Sequence, residues 1–248
     1  MRFGNQEYRD RVDIFPAEFY EKLRSSPALP FTSQPAVGIF EQAYRELAET
    51  TDEIIAIHTV GSLSGIYNTS HIAAQNIQNA QIVVVDSKQV SMGVGWLVIL
   101  AARAAQAGKQ LAEIKEIVDD AIPRAHLLAM LDTLEYARRG GRLGKGKAWI
   151  GTLLNVKPIV SVIDSQVVPV ENVRTQKRAL ERMVEMTLAS GNIQELSIIH
   201  AQAPELALTI QEMFTPNFPR ERIVITETGP VLGAHVGPGA VGLAWLNS

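Results

Sequence analysis

Cysteine is absent from the 248 residues. That excludes disulfides, thiolate nucleophiles and cysteine-ligated metals, and makes a reducing compartment the expectation. Charge of one sign is not in excess either: 23 Lys and Arg stand against 26 Asp and Glu, a net charge of -3. Nothing in that balance asks for a polyanionic ligand, so nucleic acid is disfavoured. No apolar run reaches the ~18 residues that suggest a membrane-spanning helix. The start, Met1-Arg2-Phe3-Gly4-Asn5, lacks the apolar core of a secretion signal. The five histidines show neither H-x-H nor H-x-x-x-H spacing, so no metal is expected. What is present, 46% hydrophobic and 20% charged residues, is ordinary globular composition. The expectation is a cytoplasmic protein without stable membrane insertion, built as one large or two modest domains.

Along the chain, the residues through Asp13 are polar and show no strand pattern. Pro16 to Leu23 reads as a short helix opened by proline and ended at Ser25-Ser26-Pro27. Val37 to Glu49 places Phe40, Tyr44 and Leu47 on one helical face. Glu53 to His58 and Gln81 to Asp86 are near-continuous apolar runs, as expected of strands buried on both faces of a parallel sheet. Helices are expected over Ile66 to Ile77, from Ser91-Met92-Gly93-Val94-Gly95 to Ala107, and over Leu111 to Ala121. Then come a strand at His126 to Leu131 and two strands, Lys157 to Ile163 and Gln166 to Val170, joined at Asp164-Ser165 with Pro169 on an edge. A long helix to Ser190, a strand at Leu196 to His200, a helix at Pro204 to Phe214 and strands at Ile223 to Thr226 and Val241 to Leu246 complete the pattern. Strands alternating with helices argue for an α/β fold. The natural boundary is after Asp86, giving an N-terminal α/β domain over 1–86 and a C-terminal one over 87–248.

Three stretches carry candidate chemistry. Thr228 to Ala240 is rich in glycine and proline between two strands, reads as a rigid turn, and holds one protonatable side chain, His235. It is either a structural turn or a device for aiming one imidazole at a ligand. Thr59-Val60-Gly61-Ser62-Leu63-Ser64-Gly65 follows a buried strand and precedes a helix, the geometry in which backbone N–H groups and hydroxyls receive an anion. A nucleophile elbow is excluded because Leu63, not serine, stands at the centre of Gly61 to Gly65. Gly141 to Lys147 fits seven positions of a phosphate-binding P-loop, but Ala148 replaces the hydroxyl residue that would hold magnesium, and a helix precedes it. The surrounding Arg138, Arg139, Arg142, Lys145 and Lys147 are either a solvated face or a docking patch for an acidic or phosphate-bearing partner. Arg174, just before a long helix, is a further carboxylate or phosphate contact, whereas Thr32 and Ser33 read equally well as the cap of the helix that follows.

Taken in order, the motifs resemble the DegV family, bacterial proteins that bind a fatty acid and, in one branch, serve a fatty acid kinase. The resemblance runs through Thr32-Ser33-Gln34-Pro35, Leu63-Ser64-Gly65, Asp86-Ser87-Lys88 and Ser91-x-Gly93-x-Gly95. It continues through Leu131-Asp132-Thr133-Leu134-Glu135-Tyr136, Gly140-Gly141-Arg142, Leu153-Leu154-Asn155-Val156-Lys157-Pro158, Val173-Arg174-Thr175 and Gly233-x-His235-x-Gly237-Pro238-Gly239-Ala240.

The resemblance implies two α/β domains with a lipid-binding tunnel near their interface and no resident cofactor. The fatty-acid carboxylate would meet Thr32, Ser64 and His235, with Ser33, Gly65, Gly93, Gly95 and Gly233 supporting the pocket. At ~0.8 kcal/mol per buried methylene, a tail of about fourteen offers on the order of 11 kcal/mol before entropic costs, so the tail supplies affinity and the head group orientation. A fatty acid kinase catalytic subunit would dock on Arg138, Arg139, Arg142 and Arg174, supply ATP and convert the carboxylate to an acyl phosphate, leaving this chain a carrier and not an enzyme. Two departures stand out. The family's usual first strand and its Asp-Ser-Thr-type loop lie before this chain's first residue, so that strand is expected to be missing. Val60-Gly61 and Ile66 occupy positions where the family often has hydroxyl residues, which implies a less polar head-group site. The competing readings are a stand-alone enzyme for a small carboxylate or phosphate ester with His235 as acid/base, and a lipid sensor with another protein partner.

Overall fold

The computed structural model describes residues 1–26, 28–143 and 156–248. Pro27, Lys145, Lys147, Ala148 and Leu153-Leu154-Asn155, each part of an expectation above, lie outside the described residues. The chain groups into two compact units, one of Met1–Thr32 with His126–Ser248, the other of Ser33–Ala125. The division therefore does not fall after Asp86. Hydrogen bonds beyond that residue explain why: Val60 N donates to Gln89 O at 2.9 Å, and Gln89 Nε2 donates to Ala125 O at 2.8 Å, binding the following segment to the same unit.

At the N-terminus, residues that show no strand pattern form a small antiparallel hairpin, β1 (Arg2–Phe3) and β2 (Gln6–Glu7). Phe31 extends it by exchanging two backbone hydrogen bonds with Arg2, at 2.8 and 2.9 Å. Two-residue strands are too short to leave an alternation in the sequence. Helix α1 (Pro16–Ser25) starts on proline as expected, and its Phe19, Tyr20 and Leu23 are buried.

The second unit contains α2 (Val37–Leu47), β3 (Glu53–His58), α3 (Ile66–Gln75), β4 (Gln81–Asp86), α4 (Met92–Gln106) and α5 (Leu111–Ala121). β3 and β4 are parallel, in register from Glu53 with Gln81 to His58 with Asp86, and α3 makes the crossover that parallel pairing requires. Tyr44, Ile54, Ala73 and Ile77 form a core between α2, β3 and α3.

The remainder of the first unit runs β5 (Ala125–Met130), α6 (Glu135–Arg139), β6 (Lys157–Ile163), β7 (Gln166–Val173), α7 (Gln176–Leu188), β8 (Ile193–His200), α8 (Pro204–Phe214), β9 (Ile223–Glu227), α9 (Pro230–Val236) and β10 (Val241–Asn247). The six strands form one mixed sheet in the order β7-β6-β5-β10-β8-β9, with β8 and β9 parallel. β7 is an edge strand, which is where Pro169 is tolerated. The β6–β7 turn places Asp164 at φ 49° and Ser165 at φ 62°, the two positive values that a two-residue hairpin of this twist demands.

Consecutive strand residues serve opposite cores. Ile159 of β6 belongs to the core that holds Met183 of α7 and Phe214 of α8, whereas Val160 belongs to the core of Phe19 and Tyr20 of α1, Ala137 of α6 and Ala234 of α9. That burial on both faces is why the strands read as apolar runs.

The Gly/Pro stretch, expected to be a turn, contains α9. Pro230 supplies a helix-ready φ at its first position, and Val231 N donates to Asp10 Oδ2 at 2.9 Å. Gly229 at the cap has no side chain, so a carboxylate from the N-terminal segment takes the cap's place. Gly237, at φ 74° and ψ 169°, ends the helix.

Candidate functional site

α9 brings His235 to its last turn. Three glycines make room around it. A Cβ on Gly233 would meet Tyr20 Oη at 2.7 Å and Phe19 Cε1 at 2.8 Å, so α1 lies against α9 only because Gly233 has none. Tyr20 Oη also hydrogen-bonds Thr228 Oγ1 at 2.7 Å, fixing the start of the stretch to the same helix. On another side, Gly237 and Gly140 admit the Tyr136 ring and the His235 imidazole respectively.

His235 Nε2 is 2.8 Å from Thr32 Oγ1, across 203 positions of sequence. Thr32 is buried, and it does not cap α2: the cap residue is Ala36, which makes no side-chain capping bond. His235 Nδ1 is buried with no hydrogen-bond partner among the described residues. Burial, and secondly the nearby Arg142 charge, lower the imidazole to about 4. It is therefore neutral around pH 7, with one ring nitrogen a donor and the other an acceptor. A neutral imidazole and a hydroxyl, partly buried with one polar atom unspent, can receive one further polar group. They make a poor general base, because a base protonating near 4 holds little proton affinity at neutral pH.

Ser64 and Ser33 belong to the second unit. Ser64 Oγ accepts from Ile66 N at 3.3 Å, at the start of α3. A Cβ on Gly65 would lie 2.8 Å from the Gln34 carboxamide, so the Thr-Ser-Gln-Pro segment packs on the Leu-Ser-Gly turn through Gln34. Gln34 sits inside the Thr-Ser-Gln-Pro motif, but nothing in the sequence around it marks it as a supporting residue. Gly93 approaches Gln89 and Gly95 approaches Met92, each closer than a Cβ would allow without movement.

The arginines expected to dock a partner divide into two kinds. Arg139 Nη2 is 2.6 Å from Glu135, one turn back on α6. Arg142 Nη1 donates to Gly140 O at 2.5 Å and acts on His235, so it supports the imidazole's surroundings. The guanidinium groups of Arg138 and Arg174 have neither a hydrogen bond nor an ion pair among the described residues. No group of three metal-ligating side chains is found among the described residues, and no described helix is long and apolar enough to cross a membrane.

Comparison with known proteins places this geometry in a family. The model of the uncharacterised DegV family matches residues 1–248. A DegV domain-containing protein of Listeria innocua is 34% identical over 244 residues, covering 97% of this chain and 86% of its own. Among solved structures, that of DegV from Bacillus subtilis, a fatty acid binding protein, superposes with a TM-score of 0.91 at 29% identity, covering 100% of this chain and 89% of that one. A DegV family protein from Thermus thermophilus, described for its fatty acid binding, also gives 0.91, at 30% identity over 99% of this chain and 89% of that one.

Proposed function

Because the chain belongs to the DegV family, we propose that it binds a long-chain fatty acid whose carboxylate is received by Thr32 and His235. The observation that carries the reading is the half-buried Thr32–His235 pair with its buried, unpartnered Nδ1. A carboxylate accepts hydrogen bonds and brings none, so it suits a site whose groups are a hydroxyl and a neutral imidazole. Ser64 enters as a third hydroxyl through the family resemblance, and an apolar tunnel holds the tail. The low proton affinity of His235 speaks for a carrier over a stand-alone acid/base enzyme.

In this reading a cytoplasmic fatty acid kinase subunit docks on the surface carrying Arg138, Arg139, Arg142 and Arg174 and phosphorylates the presented carboxylate. The test of the carrier is a pair of mass spectra, native and denaturing, on protein purified from a bacterial host. One fatty acid of extra mass, lost on denaturation and reduced in His235→Ala and Thr32→Ala, is expected; Ser64→Ala tests the third contact separately. Protein that stays unloaded after incubation with oleate and with palmitate would overturn the reading.

A further inference from the structure

A concavity is formed by residues other than Thr32 and His235. It encloses about 580 Å³ and is lined by residues of α6, β6 and the β7–α7 junction, including Asp132, Glu135, Arg138, Lys157 and Arg174. Neither Thr32 nor His235 lines it, and its size is within the roughly 300–1,000 Å³ of small-molecule sites.

The charges along its wall do not cancel. The Lys157 ammonium bonds the Asp132 carboxylate. Arg139 holds Glu135 at 2.6 Å from outside the cavity. Both carboxylates are therefore matched, and two cations remain. The side chains of Arg138, on α6, and Arg174, one residue before the Thr175 cap of α7, have no hydrogen bond, ion pair or ring contact among the described residues. They come from segments 36 positions apart, so no local helix pairing brings them to one cavity. A guanidinium presents a rigid fork of donors and no acceptor, which suits an oxyanion. One fork matches a carboxylate, whereas two unspent forks on one wall match a dianion.

We infer that this cavity binds a phosphate-bearing small molecule, its phosphate group held between Arg138 and Arg174. The inference does not depend on fatty acid binding. It shares two arginines with the proposed docking surface, but it concerns the chain alone and is tested without any partner.

The experiment titrates the full chain with inorganic phosphate, phenyl phosphate and acetate at matched ionic strength, following backbone amide chemical shifts. Saturable shifts with the two phosphates and not with acetate are expected. Tighter binding of phenyl phosphate would identify an ester as the ligand, and equal binding would identify free phosphate. Arg138→Gln and Arg174→Gln should each weaken binding by roughly tenfold or more, while His235→Ala leaves it unchanged. Equal response to acetate, shifts that never saturate, or phosphate affinity surviving in Arg138→Gln/Arg174→Gln would each overturn the assignment. Thermal melting of that double variant, alongside its fatty acid mass, shows whether it is folded; the conservative Arg138→Lys, which keeps charge but loses the fork, should also lose affinity.

Discussion

Gly140 leaves the space that the His235 imidazole fills: a Cβ on Gly140 would overlap Nδ1 of His235. Its backbone, φ -69°, is ordinary helical conformation, so the requirement for glycine here is steric and not conformational. The nitrogen it borders is the one left without a partner.

Gly140→Ala should therefore displace the imidazole while leaving the backbone unstrained. An overpacking cost of about 1–3 kcal/mol is expected, together with a larger loss of bound fatty acid than of stability. Urea unfolding and native mass measured on the same preparation check this. Full lipid loading in the variant would mean that the imidazole does not contact the head group.

Gly237 differs in kind. At φ 74° and ψ 169° it occupies a region open only to glycine, and its missing Cβ is replaced by the Tyr136 ring. Gly237→Ala should cost at least ~1–3 kcal/mol from strain alone. Trimming Tyr136 to alanine in the same chain should recover only the steric part. Complete rescue by that second change would show that strain contributes nothing.

Much of the fold could be read from local pattern. β3 and β4 announced themselves as apolar runs, although only Ile54 and Val85 in them are fully buried and the rest are half-buried or exposed, and the Asp164-Ser165 turn and the edge position of Pro169 follow from turn chemistry and a missing N–H. α9 could not be read this way: seven residues, one of them proline and one glycine, between further glycines and a proline are too few to show a helical period, and the carboxylate that caps them is Asp10, far away in sequence. Nor does any periodicity connect Thr32 with His235, since periodicity reports neighbours on one element. Those two residues came together through the family resemblance. Gln34 against Gly65 and Gly140 against His235 were missed for the same reason. The domain boundary was misplaced because the chain leaves the first unit at Thr32 and returns to it at His126, a path that no composition change marks.

Acid should weaken the protein through His235. Burial holds the folded imidazole at about 4 against an ordinary value of 6.5. The unfolded chain thus takes up its proton first, and stability falls as pH drops from near 6.5 toward 4, by on the order of 3 kcal/mol from this group. Above that window the group contributes no slope. Burial lowers His58, His126 and His200 as well, so the comparison must isolate one residue. Urea midpoints at about pH 7.5 and about pH 5 should differ less in His235→Asn than in the parent; identical pH slopes would show that His235 is not the group responsible.

In the second unit, Ser70 is fully buried between Tyr44 Oη at 2.5 Å and His58 Nε2 at 2.6 Å. A serine hydroxyl has a single hydrogen, so it donates to one neighbour and accepts from the other. Burial raises the Tyr44 phenol and lowers His58, which keeps the chain of bonds uncharged at neutral pH. Tyr44→Phe removes one end and leaves Ser70 satisfied by His58, so a loss of about 1 kcal/mol is expected. Ser70→Ala removes the link and strands a polar atom on both sides, so a larger loss, about 1–3 kcal/mol, should follow. Adding Tyr44→Phe to Ser70→Ala then removes one stranded atom, and the double variant should be less destabilised than the sum of the two. Strict additivity in urea unfolding would mean that the three groups do not act as one network. The loop that carries Ser64 leaves β3 immediately after His58, so the same variants report whether this network also sets the position of that loop.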